Sequence, residues 1–328
     1  MIPEKIKKVL KKQHYRIVGN HSAIQICRWT KNSLRDEGVC FKEQFYGIKA
    51  HRCCQMTPAV MWCPNRCEHC WRATEYTIGE KMEGKLNSPK EIVDGCIEAQ
   101  RKLLEGFKIL PKTKFKTSSK VNMEKWKEAQ EPNHFSISLS GESTLYAKIG
   151  ELIQEIRSRR KTSFLVTNGL YPEKIKELAE KNQLPTQLTV TVNTSNQEQY
   201  LPFHKSSIKN AWKKLNETLE ILSELNCRTV FRMNLVKGFN MEEKYLKEFA
   251  ELIKKANPKF VHVKGYMSVG FARERLGYEK MPDNKEMQKA VDILTRETEL
   301  KLLDKHERSR AYVLGKNKAD MKIKKSEI

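Results

Sequence analysis

Three cysteines within a short loop constrain this chain more than any other feature of its sequence. Cys63, Cys67 and Cys70 stand in a C-x3-C-x2-C spacing, directly after the apolar run Ala59-Val60-Met61-Trp62. Three thiolates at this spacing suit one iron–sulfur cubane, because soft sulfur ligands hold three irons and leave the fourth without a protein ligand. Ferredoxin-type clusters use other spacings and a fourth cysteine. The motif therefore predicts a cluster with one open iron, at which a substrate or cofactor can bind.

Zinc and plain core thiols are the alternatives for these cysteines. A structural zinc site requires four ligands. His69 offers a fourth ligand, but it lies inside the loop between Glu68 and Cys70.

A second set of three cysteines lies upstream, in the wider spacing C-x12-C-x12-C. It consists of Cys27, Cys40 and Cys53; the spacing selects Cys53 rather than Cys54 beside it. Such spacing draws ligands from three separate local elements, and buried structural thiols are the alternative, since free cysteine is often simply buried. An odd total of nine cysteines argues against a disulfide framework. The sequence assigns no role to Cys54, Cys96 or Cys227.

The fold class follows from strands that alternate with helices. A chain of 328 residues fits one large α/β domain or two small ones. The alternation predicts βαβ units with a parallel sheet. We expect a partial or distorted TIM-type (β/α) barrel of about six parallel strands with helices outside. We further expect an N-terminal cluster-binding extension (1–56), the barrel core (57–315) and a basic C-terminal tail (316–328).

The helices and strands are predicted from hydrophobic periodicity and from turn residues. The predicted helices cover 3–12, 21–34, 88–106, 145–161, 172–181, 206–225, 241–255 and 283–296. The predicted strands cover 134–140, 163–167, 187–193, 228–235, 260–265 and about 311–314, with one more strand before the cysteine loop.

Polar residues end several predicted strands, at the edge where barrel enzymes place their active sites. As a set they supply donors and one carboxylate around a small molecule, although Asn and Gly commonly end strands without any such role. Glu142 is suited to an ammonium group, and Gly141 permits close backbone approach. The residues at these strand ends are Ser140, Gly141, Glu142, Asn168, Asn193, Asn234 and Lys264.

The charge balance indicates a polyanionic partner. The formal net charge is +22, which attracts RNA or DNA first and an acidic membrane or protein second. A lysine-rich host proteome is the alternative explanation. We expect phosphate contacts from the N-terminal basic helix, from a lysine-rich insertion at 107–130 and from segment 316–325. No window approaches about 18 consecutive apolar residues, and the N-terminus lacks an apolar signal region, so a cytoplasmic protein without a membrane segment is expected.

Together these motifs resemble the radical S-adenosylmethionine superfamily. There C-x3-C-x2-C binds a [4Fe–4S] cluster, and S-adenosylmethionine chelates the open iron through its amino and carboxylate groups. Ser140-Gly141-Glu142 resembles the short Gly-Glu motif of that superfamily, whose carboxylate faces the methionine amino group.

Over residues 20–315 the chain more closely resembles the tRNA 4-demethylwyosine synthase family. The upstream cysteines and Lys42 carry this resemblance together with several further segments. These are Phe45-Tyr46-Gly47-Ile48, Leu139-Ser140-Gly141-Glu142, Thr144-Leu145-Tyr146, Phe231-Arg232, Leu235-Val236-Lys237-Gly238, Val263-Lys264-Gly265-Tyr266-Met267, Val269-Gly270, Arg273 and Arg275-Leu276.

The resemblance implies two [4Fe–4S] clusters and contacts to S-adenosylmethionine. Cys63, Cys67 and Cys70 would hold the radical cluster, and Cys27, Cys40 and Cys53 an auxiliary cluster that binds or positions pyruvate. Lys42 matches the family lysine proposed to form a Schiff base with pyruvate; a surface or RNA-contacting lysine is the alternative. Ser140, Gly141, Glu142, Asn168, Asn193 and Lys264 would contact S-adenosylmethionine.

The implied activity is that of a carbon–carbon lyase in wyosine biosynthesis. N1-methylguanosine, 3′ of the anticodon in phenylalanine tRNA, condenses with pyruvate to give tricyclic 4-demethylwyosine. The resemblance also implies a monomer that uses an external electron donor such as flavodoxin or ferredoxin. A peptide-modifying radical enzyme and a non-catalytic zinc/RNA-binding module are the alternatives. His69, in place of an aromatic residue, and Ser143, in place of Pro, depart from the family pattern.

Overall fold

A ten-stranded sheet organises residues 1–107 and 121–328, the part of the chain that the computed structural model describes. Its strands, in chain order, are β1 (Arg16–Val18), β2 (Ser22–Gln25), β3 (Cys53–Thr57), β4 (His134–Ile137), β5 (Thr162–Thr167), β6 (Gln187–Thr191), β7 (Arg228–Leu235), β8 (Phe260–Gly265), β9 (Lys301–His306) and β10 (Ala311–Gly315).

Helices connect most of these strands, and twelve α-helices lie in the same described ranges. They are α1 (Glu4–Lys12), α2 (Arg28–Leu34), α3 (Phe41–Tyr46), α4 (Pro89–Leu104), α5 (Met123–Ala129), α6 (Ile149–Ser158), α7 (Pro172–Glu180), α8 (Gln197–His204), α9 (Ala211–Ile221), α10 (Glu243–Ala256), α11 (Ala272–Leu276) and α12 (Asn284–Thr298). None of them is long and apolar enough to cross a membrane.

The centre of the sheet is parallel, and both of its margins are antiparallel. Strands β3 to β8 pair in sequence order, each parallel to the next. Strands β1 and β2 continue the sheet beyond β3, and β10 and β9 continue it beyond β8. The predicted α/β fold with a parallel-rich sheet is confirmed, whereas the sheet has ten strands rather than about six. The sequence missed β1, β2 and β9, because three or four residues are too short for a period-2 pattern and β9 is a largely exposed margin strand.

Alternation along the strands divides the sheet into two chemically different faces. Apolar residues such as Met56, Ile137 and Val263 pack under the helices in one large core; we call this the outer face. Their sequence neighbours point the other way, because successive strand residues alternate. This inner face carries polar side chains, and the register aligns Gln55 with Ser136 and Arg232 with His262. The sheet therefore has one structural face and one face suited to chemistry.

The prediction of one helix over residues 21–34 is wrong in its first half. Ser22–Gln25 forms strand β2, and helix α2 begins only at Arg28. Cys27 is the N-cap of α2, and its sulfur accepts a hydrogen bond from the Thr30 amide at 3.3 Å. Strand β2 is buried on both faces, so its residues do not alternate between apolar and polar. Such a short stretch cannot be distinguished from a buried helix by its periodicity.

The predicted start of helix α4 is confirmed at the level of its cap. Ser88 and Glu91 form a reciprocal capping box, and Pro89 occupies the first turn. These are the residue types that satisfy the unpaired amides of a helix N-terminus.

The predicted lysine-rich insertion at 107–130 is described only at its ends, since residues 108–120 lie outside the described residues. Its C-terminal part, with Lys125 and Lys127, forms helix α5. The Trp126 indole in this helix donates to the Leu104 carbonyl at 2.9 Å. This part of the segment is therefore folded against α4.

The C-terminal residues pack against the amino-terminal edge of the parallel strands. Arg228, at the start of β7, is 1% exposed. Its guanidinium donates to the carbonyls of Asp320 at 3.0 Å and Met321 at 2.6 Å, and it pairs with Glu327 at 3.2 Å. The Tyr46 ring of α3 lies beside the same guanidinium. Helix α3 and the tail therefore close this edge of the sheet.

Candidate active site

The loop that carries Cys63, Cys67 and Cys70 leaves the carboxyl end of β3; we call residues 63–70 the cysteine loop. Its three thiols are half-buried. The Cys63 amide donates to the Gly79 carbonyl at 2.8 Å, and Cys67 Sγ lies 3.1 Å from His204 Nδ1. Burial raises the pKa of all three thiols, and coordination to a metal reverses this, since a ligating thiol is deprotonated.

Helix α11, far along the chain, holds the cysteine loop in place. Arg275 donates to the carbonyls of Glu68 at 3.2 Å and Arg72 at 3.1 Å, and also to the carbonyl of Cys70. Its side chain further pairs with Glu75. One guanidinium therefore binds three alternate carbonyl groups of the segment around Cys70, which suits its fixed fork of donors.

The turn after β4 packs directly against the segment that leads into the cysteine loop. Gly141 has φ +73°, and a Cβ there would lie 1.9 Å from the Ala59 carbonyl oxygen and 2.6 Å from that of Trp62. The next amide, that of Glu142, donates to the same Trp62 carbonyl at 2.6 Å. Only glycine fits this position, since it tolerates positive φ and has no Cβ.

Glu142 is a buried carboxylate aimed at the region beside Cys63. It is 3% exposed, and it accepts hydrogen bonds from the Asn168 amide at 2.7 Å and the Thr144 hydroxyl at 2.8 Å. Burial raises the pKa of Glu142, although the hydrogen bonds from Asn168 and Thr144 lower it in part. Burial raises the pKa of Cys63, and the charge of Glu142 raises it further. The side-chain nitrogen Nδ2 of Asn168 lies 4.0 Å from the Cys63 sulfur. The structure thus brings Cys63, Glu142 and Asn168 together, as the sequence predicted for strand ends at one edge.

Asn193 connects the ends of β6 and β7 to the cysteine loop. Its Oδ1 accepts from the Asn234 backbone and side-chain amides, each at 3.1 Å, and its Nδ2 lies 3.3 Å from His69 Nε2. Asn240 donates to the carbonyls of Asn193 at 2.8 Å and Asn234 at 3.0 Å. His69 stacks on Phe203 with a centroid separation of 5.2 Å, and burial holds its pKa well below the usual value. Ser140 remains at the same edge, with its hydroxyl 3.4 Å from Met61 Sδ.

The upstream cysteines surround Lys42 on the inner face. Cys40 and Cys53 are buried and Cys27 is half-buried. Lys42 Nζ lies 3.7 Å from Cys53 Sγ. Burial alone would lower the pKa of Lys42, but the thiolate charges of Cys53, Cys40 and Cys27 together raise it above the usual value. Lys42 is therefore half-buried beside the second set of cysteines.

Two side chains of β4 complete the surroundings of Lys42. Its ammonium donates to Ser136 Oγ at 2.9 Å and faces His134 Nε2 at 3.4 Å. Burial, and then the charge of Lys42, hold the pKa of His134 well below its usual value. A neutral imidazole that accepts at Nε2 carries its proton on Nδ1, which then donates to Thr162 Oγ1 at 2.9 Å.

Lys264 and Arg232 lie between the two sets of cysteines. The Lys264 ammonium sits 4.5 Å from the centroid of the Phe41 ring. Burial and the charges of Arg232 and Lys42 lower the pKa of Lys264 to about 8, while Cys40 opposes them. Burial lowers the pKa of Arg232 to about 10, although the charge of Cys70 raises it in part. Lys264, predicted to contact S-adenosylmethionine, thus has Lys42 and Cys40 as neighbours; that contact stays a prediction.

The two sets of three thiols offer soft sulfur donors, the ligand type that iron–sulfur clusters use. In a cubane each cysteine binds a different iron, so the three sulfurs need not converge on one point. A structural zinc site would require a fourth ligand beside the three thiols. Within residues 1–107 and 121–328, no three His, Cys, Asp or Glu side chains are grouped to hold one ion.

Several residues of the site carried no sequence signal as functional residues. Arg232 and His134 were read only as parts of strands, and their position on the inner face follows from register. His204 and Asn240 lie in no recognisable motif. Arg275 lies in a segment that resembles the family. That resemblance did not predict its contact with the cysteine loop.

Two protein families match consecutive parts of the chain after residue 57. Residues 58–253 match the Radical SAM superfamily, and residues 255–316 match a family described as wyosine base formation. The boundary between the two matches falls in the last turn of α10, so β8, Lys264 and Arg275 lie in the second segment.

Individual relatives and solved structures agree with these matches. The S-adenosyl-L-methionine-dependent tRNA 4-demethylwyosine synthase of Pyrococcus abyssi is 39% identical, over 97% of this chain and 91% of that protein. The Methanocaldococcus jannaschii protein of the same name is 34% identical, over 96% of both. A structure of TYW1 with a lysine–pyruvate adduct bound superposes with a TM-score of 0.84 at 34% identity, covering 99% of each chain. An archaeal TYW1 crystal structure gives a TM-score of 0.77 at 30% identity, over 98% of this chain and all of that one.

Proposed function

This chain belongs to the tRNA 4-demethylwyosine synthase family of radical S-adenosylmethionine enzymes, and on that premise we propose how its residues carry out wyosine-base formation in tRNA. Its reaction is the condensation of N1-methylguanosine, 3′ of the anticodon in phenylalanine tRNA, with pyruvate to give 4-demethylwyosine. The observation that carries this proposal is Lys42, which is half-buried with its Nζ atom 3.7 Å from Cys53 Sγ. A lysine–pyruvate adduct in a structure with 34% identity supports the same role.

The two cysteine sets would hold two [4Fe–4S] clusters on one partial barrel, built from strands β3 to β8. Cys63, Cys67 and Cys70 would bind the radical cluster, and Cys27, Cys40 and Cys53 the auxiliary one. When bound, the radical cluster and S-adenosylmethionine supply a 5′-deoxyadenosyl radical for hydrogen abstraction. Glu142, buried and fixed by Asn168 and Thr144, is placed to accept a hydrogen bond from the methionine ammonium. Ser140, Gly141, Asn168 and Asn193 offer further polar contacts at the same strand edge.

Lys42 would bind pyruvate covalently as an imine. The neutral amine attacks the keto carbon, a C–N bond forms, and the keto oxygen leaves as water. Ser136 and His134 hold Nζ in position. The low pKa of His134 makes it a neutral acceptor that orients Nζ, and not a base strong enough to take the proton of the ammonium, which is lost to solvent before attack.

The tRNA substrate accounts for the charge of the chain. A net charge of +22 favours phosphate contacts. The methylated base must leave its stack to reach the inner face, as enzymes that modify bases in RNA require. We further propose a cytoplasmic monomer that receives electrons from a separate flavodoxin or ferredoxin.

Anaerobic turnover tests this function directly. The reconstituted protein is incubated with N1-methylguanosine-containing phenylalanine tRNA, pyruvate, S-adenosylmethionine and a reductant, and the nucleosides are analysed by mass spectrometry. We expect 4-demethylwyosine whose added carbons derive from labelled pyruvate. Formation of 5′-deoxyadenosine without any tricyclic nucleoside would overturn the proposed substrate while leaving the superfamily assignment intact.

The adjacent residues Cys53 and Cys54 give a matched test of the auxiliary cluster. They point to opposite faces of β3, and Cys54 packs in the outer core. Cys53→Ala should lower the iron content from about eight to about four per chain and abolish tricyclic product, since [4Fe–4S] ligation needs its thiolates. Cys54→Ala should retain both. Equal iron loss in the two variants, measured by colorimetric iron assay, would refute the assignment of Cys53.

A further inference from the structure

Two half-buried cations on the inner face have no partner among the described residues. There, the side chains of Arg232 and Lys264 make no hydrogen bond and no ion pair, and the Nε atom of Arg232 is buried without an acceptor. Removing a charged group from water is costly unless it is paired or binds a ligand. Both side chains are thus less hydrated than a solitary lysine or arginine on the surface.

The register of the sheet places both cations on the same side. Arg232 lies opposite His262, and Lys264 follows His262 by two residues on β8. Side chains two positions apart share a face, so Arg232 and Lys264 are diagonal neighbours, with Cα atoms roughly 8 Å apart. Two long cationic side chains at this separation can converge on one small anion.

The surroundings of the pair place this anion beside Lys42. The Lys264 ammonium lies 4.5 Å from the centroid of the Phe41 ring, and Phe41 directly precedes Lys42. The ring of His262, opposite Arg232, meets the same Phe41 ring edge-on with centroids 5.7 Å apart. His134 and His262 add no further positive charge here, since burial holds the pKa of each well below its usual value.

We propose that Arg232 and Lys264 form the binding site for the carboxylate of the α-keto acid that reacts with Lys42. The carboxylate carbon is bonded to the keto carbon that Lys42 attacks, so it must lie within reach of groups next to the Lys42 amine. The planar fork of Arg232 matches a carboxylate in two-point contact, and Lys264 adds a point charge. The inference rests on the proposed function and assigns to these residues the recognition of a keto acid over a neutral ketone.

Trapping with borohydride tests the assignment on the reconstituted protein. Reduction converts the Lys42 imine into a stable amine, whose amount is measured by mass spectrometry against the concentration of pyruvate. Arg232→Met and Lys264→Met should each raise the half-saturating concentration about tenfold or more, since a hydrogen bond to a charged group contributes roughly 1.5–3 kcal/mol. Arg232→Lys should restore part of the loss, and Lys301→Met, at an exposed position of β9, should have no effect.

Methyl pyruvate provides the second arm, because it has the keto group but no carboxylate charge. The unmodified protein should trap pyruvate at lower concentration than the ester. The two Met variants should lose this discrimination, which is the coupling expected when residue and carboxylate contact each other. Unchanged discrimination would overturn the inference, whatever the effect on overall trapping.

Other readouts separate this inference from its competitors. If the half-saturating concentration of S-adenosylmethionine in 5′-deoxyadenosine formation rises instead, the pair binds the methionine carboxylate. If the half-saturating concentration of tRNA rises alone, the pair binds a phosphate. Either result overturns the keto-acid assignment. If the unmodified protein traps no pyruvate, the proposed function fails rather than the role of this pair. Iron content and thermal unfolding identify variants that fail to fold, and Arg232→Lys then carries the test.

Discussion

Gly141 shows how one residue can couple the carboxylate motif to the cysteine loop. Its positive φ and the two carbonyl oxygens that approach its Cα leave no space for a side chain. Gly141→Ala should therefore destabilise the fold by about 1–3 kcal/mol, from backbone strain and overpacking. It should also displace Glu142, so that half-saturation by S-adenosylmethionine rises. Urea unfolding and isothermal titration measure the two effects.

Gly106→Ala is the matched control for that substitution. Gly106 is exposed, and an added methyl group meets nothing within 4 Å among the described residues. We expect its unfolding free energy to change by less than about 0.5 kcal/mol. If the Gly141→Ala protein is as stable as this control, the turn after β4 can shift to accept a side chain without loss of unfolding free energy.

At the residue scale, short motifs could be found from their spacing in the sequence, whereas the position of Arg232 on the inner face follows only from the register of the strands. The C-x3-C-x2-C motif and Ser140-Gly141-Glu142 are short enough to be read directly from the sequence. Arg232 is not, because the same residue on β7 shifted by one position would face the outer core. Its role emerges only when β8 aligns His262 opposite it.

At the scale of elements, helix α11 determines the shape of the cysteine loop. Arg275→Lys removes the fork that binds three carbonyls and replaces it with a single point of attachment. We expect the protein to fold but to lose iron to a chelator roughly tenfold faster, consistent with loss of charge-assisted hydrogen bonds. Arg273→Lys, two residues earlier on the same helix, is the control. Iron release is followed by absorbance, and similar rates for the two variants would exclude the clamp.

Helices and strands that have capping residues or an apolar run of their own were predicted well. Those whose type depends on pairing with another part of the chain were not. Helix α4 starts where its capping residues stand, and the parallel strands follow buried apolar runs. In contrast, β2 and α2 share one apolar stretch, and the distinction between them lies in the pairing of β2 with β1 and β3. Helix α8 was missed because it contains a proline and has no clear apolar face.

At the scale of the whole molecule, the C-terminal tail contributes to stability from outside the sheet. Ending the chain at Gly315 removes the three acceptors of the buried Arg228 guanidinium. We expect a loss of about 3–5 kcal/mol in unfolding free energy, the usual cost of a buried charge left without its partners. Chemical denaturation measures it, and an unchanged midpoint would mean that water replaces the tail.

The basic character of the tail can be tested separately from its packing. Lys318 and Lys325 make no ion pair within the described residues, and both are exposed. Replacing both with Ser should leave stability within about 0.5 kcal/mol. If the tail contacts tRNA, the same change should reduce the slope of log affinity against log salt by about two. An unchanged slope would confine the RNA contacts to other parts of the surface.

The Arg275 clamp also sets an order of events during synthesis. Arg275 follows Cys70 by 205 residues, an interval that a ribosome translating about 5–20 residues per second needs roughly 10–40 s to cover. Throughout that time the cysteine loop exists without the helix that fixes its carbonyls. The cysteine loop therefore reaches its final backbone conformation only after translation has passed α11.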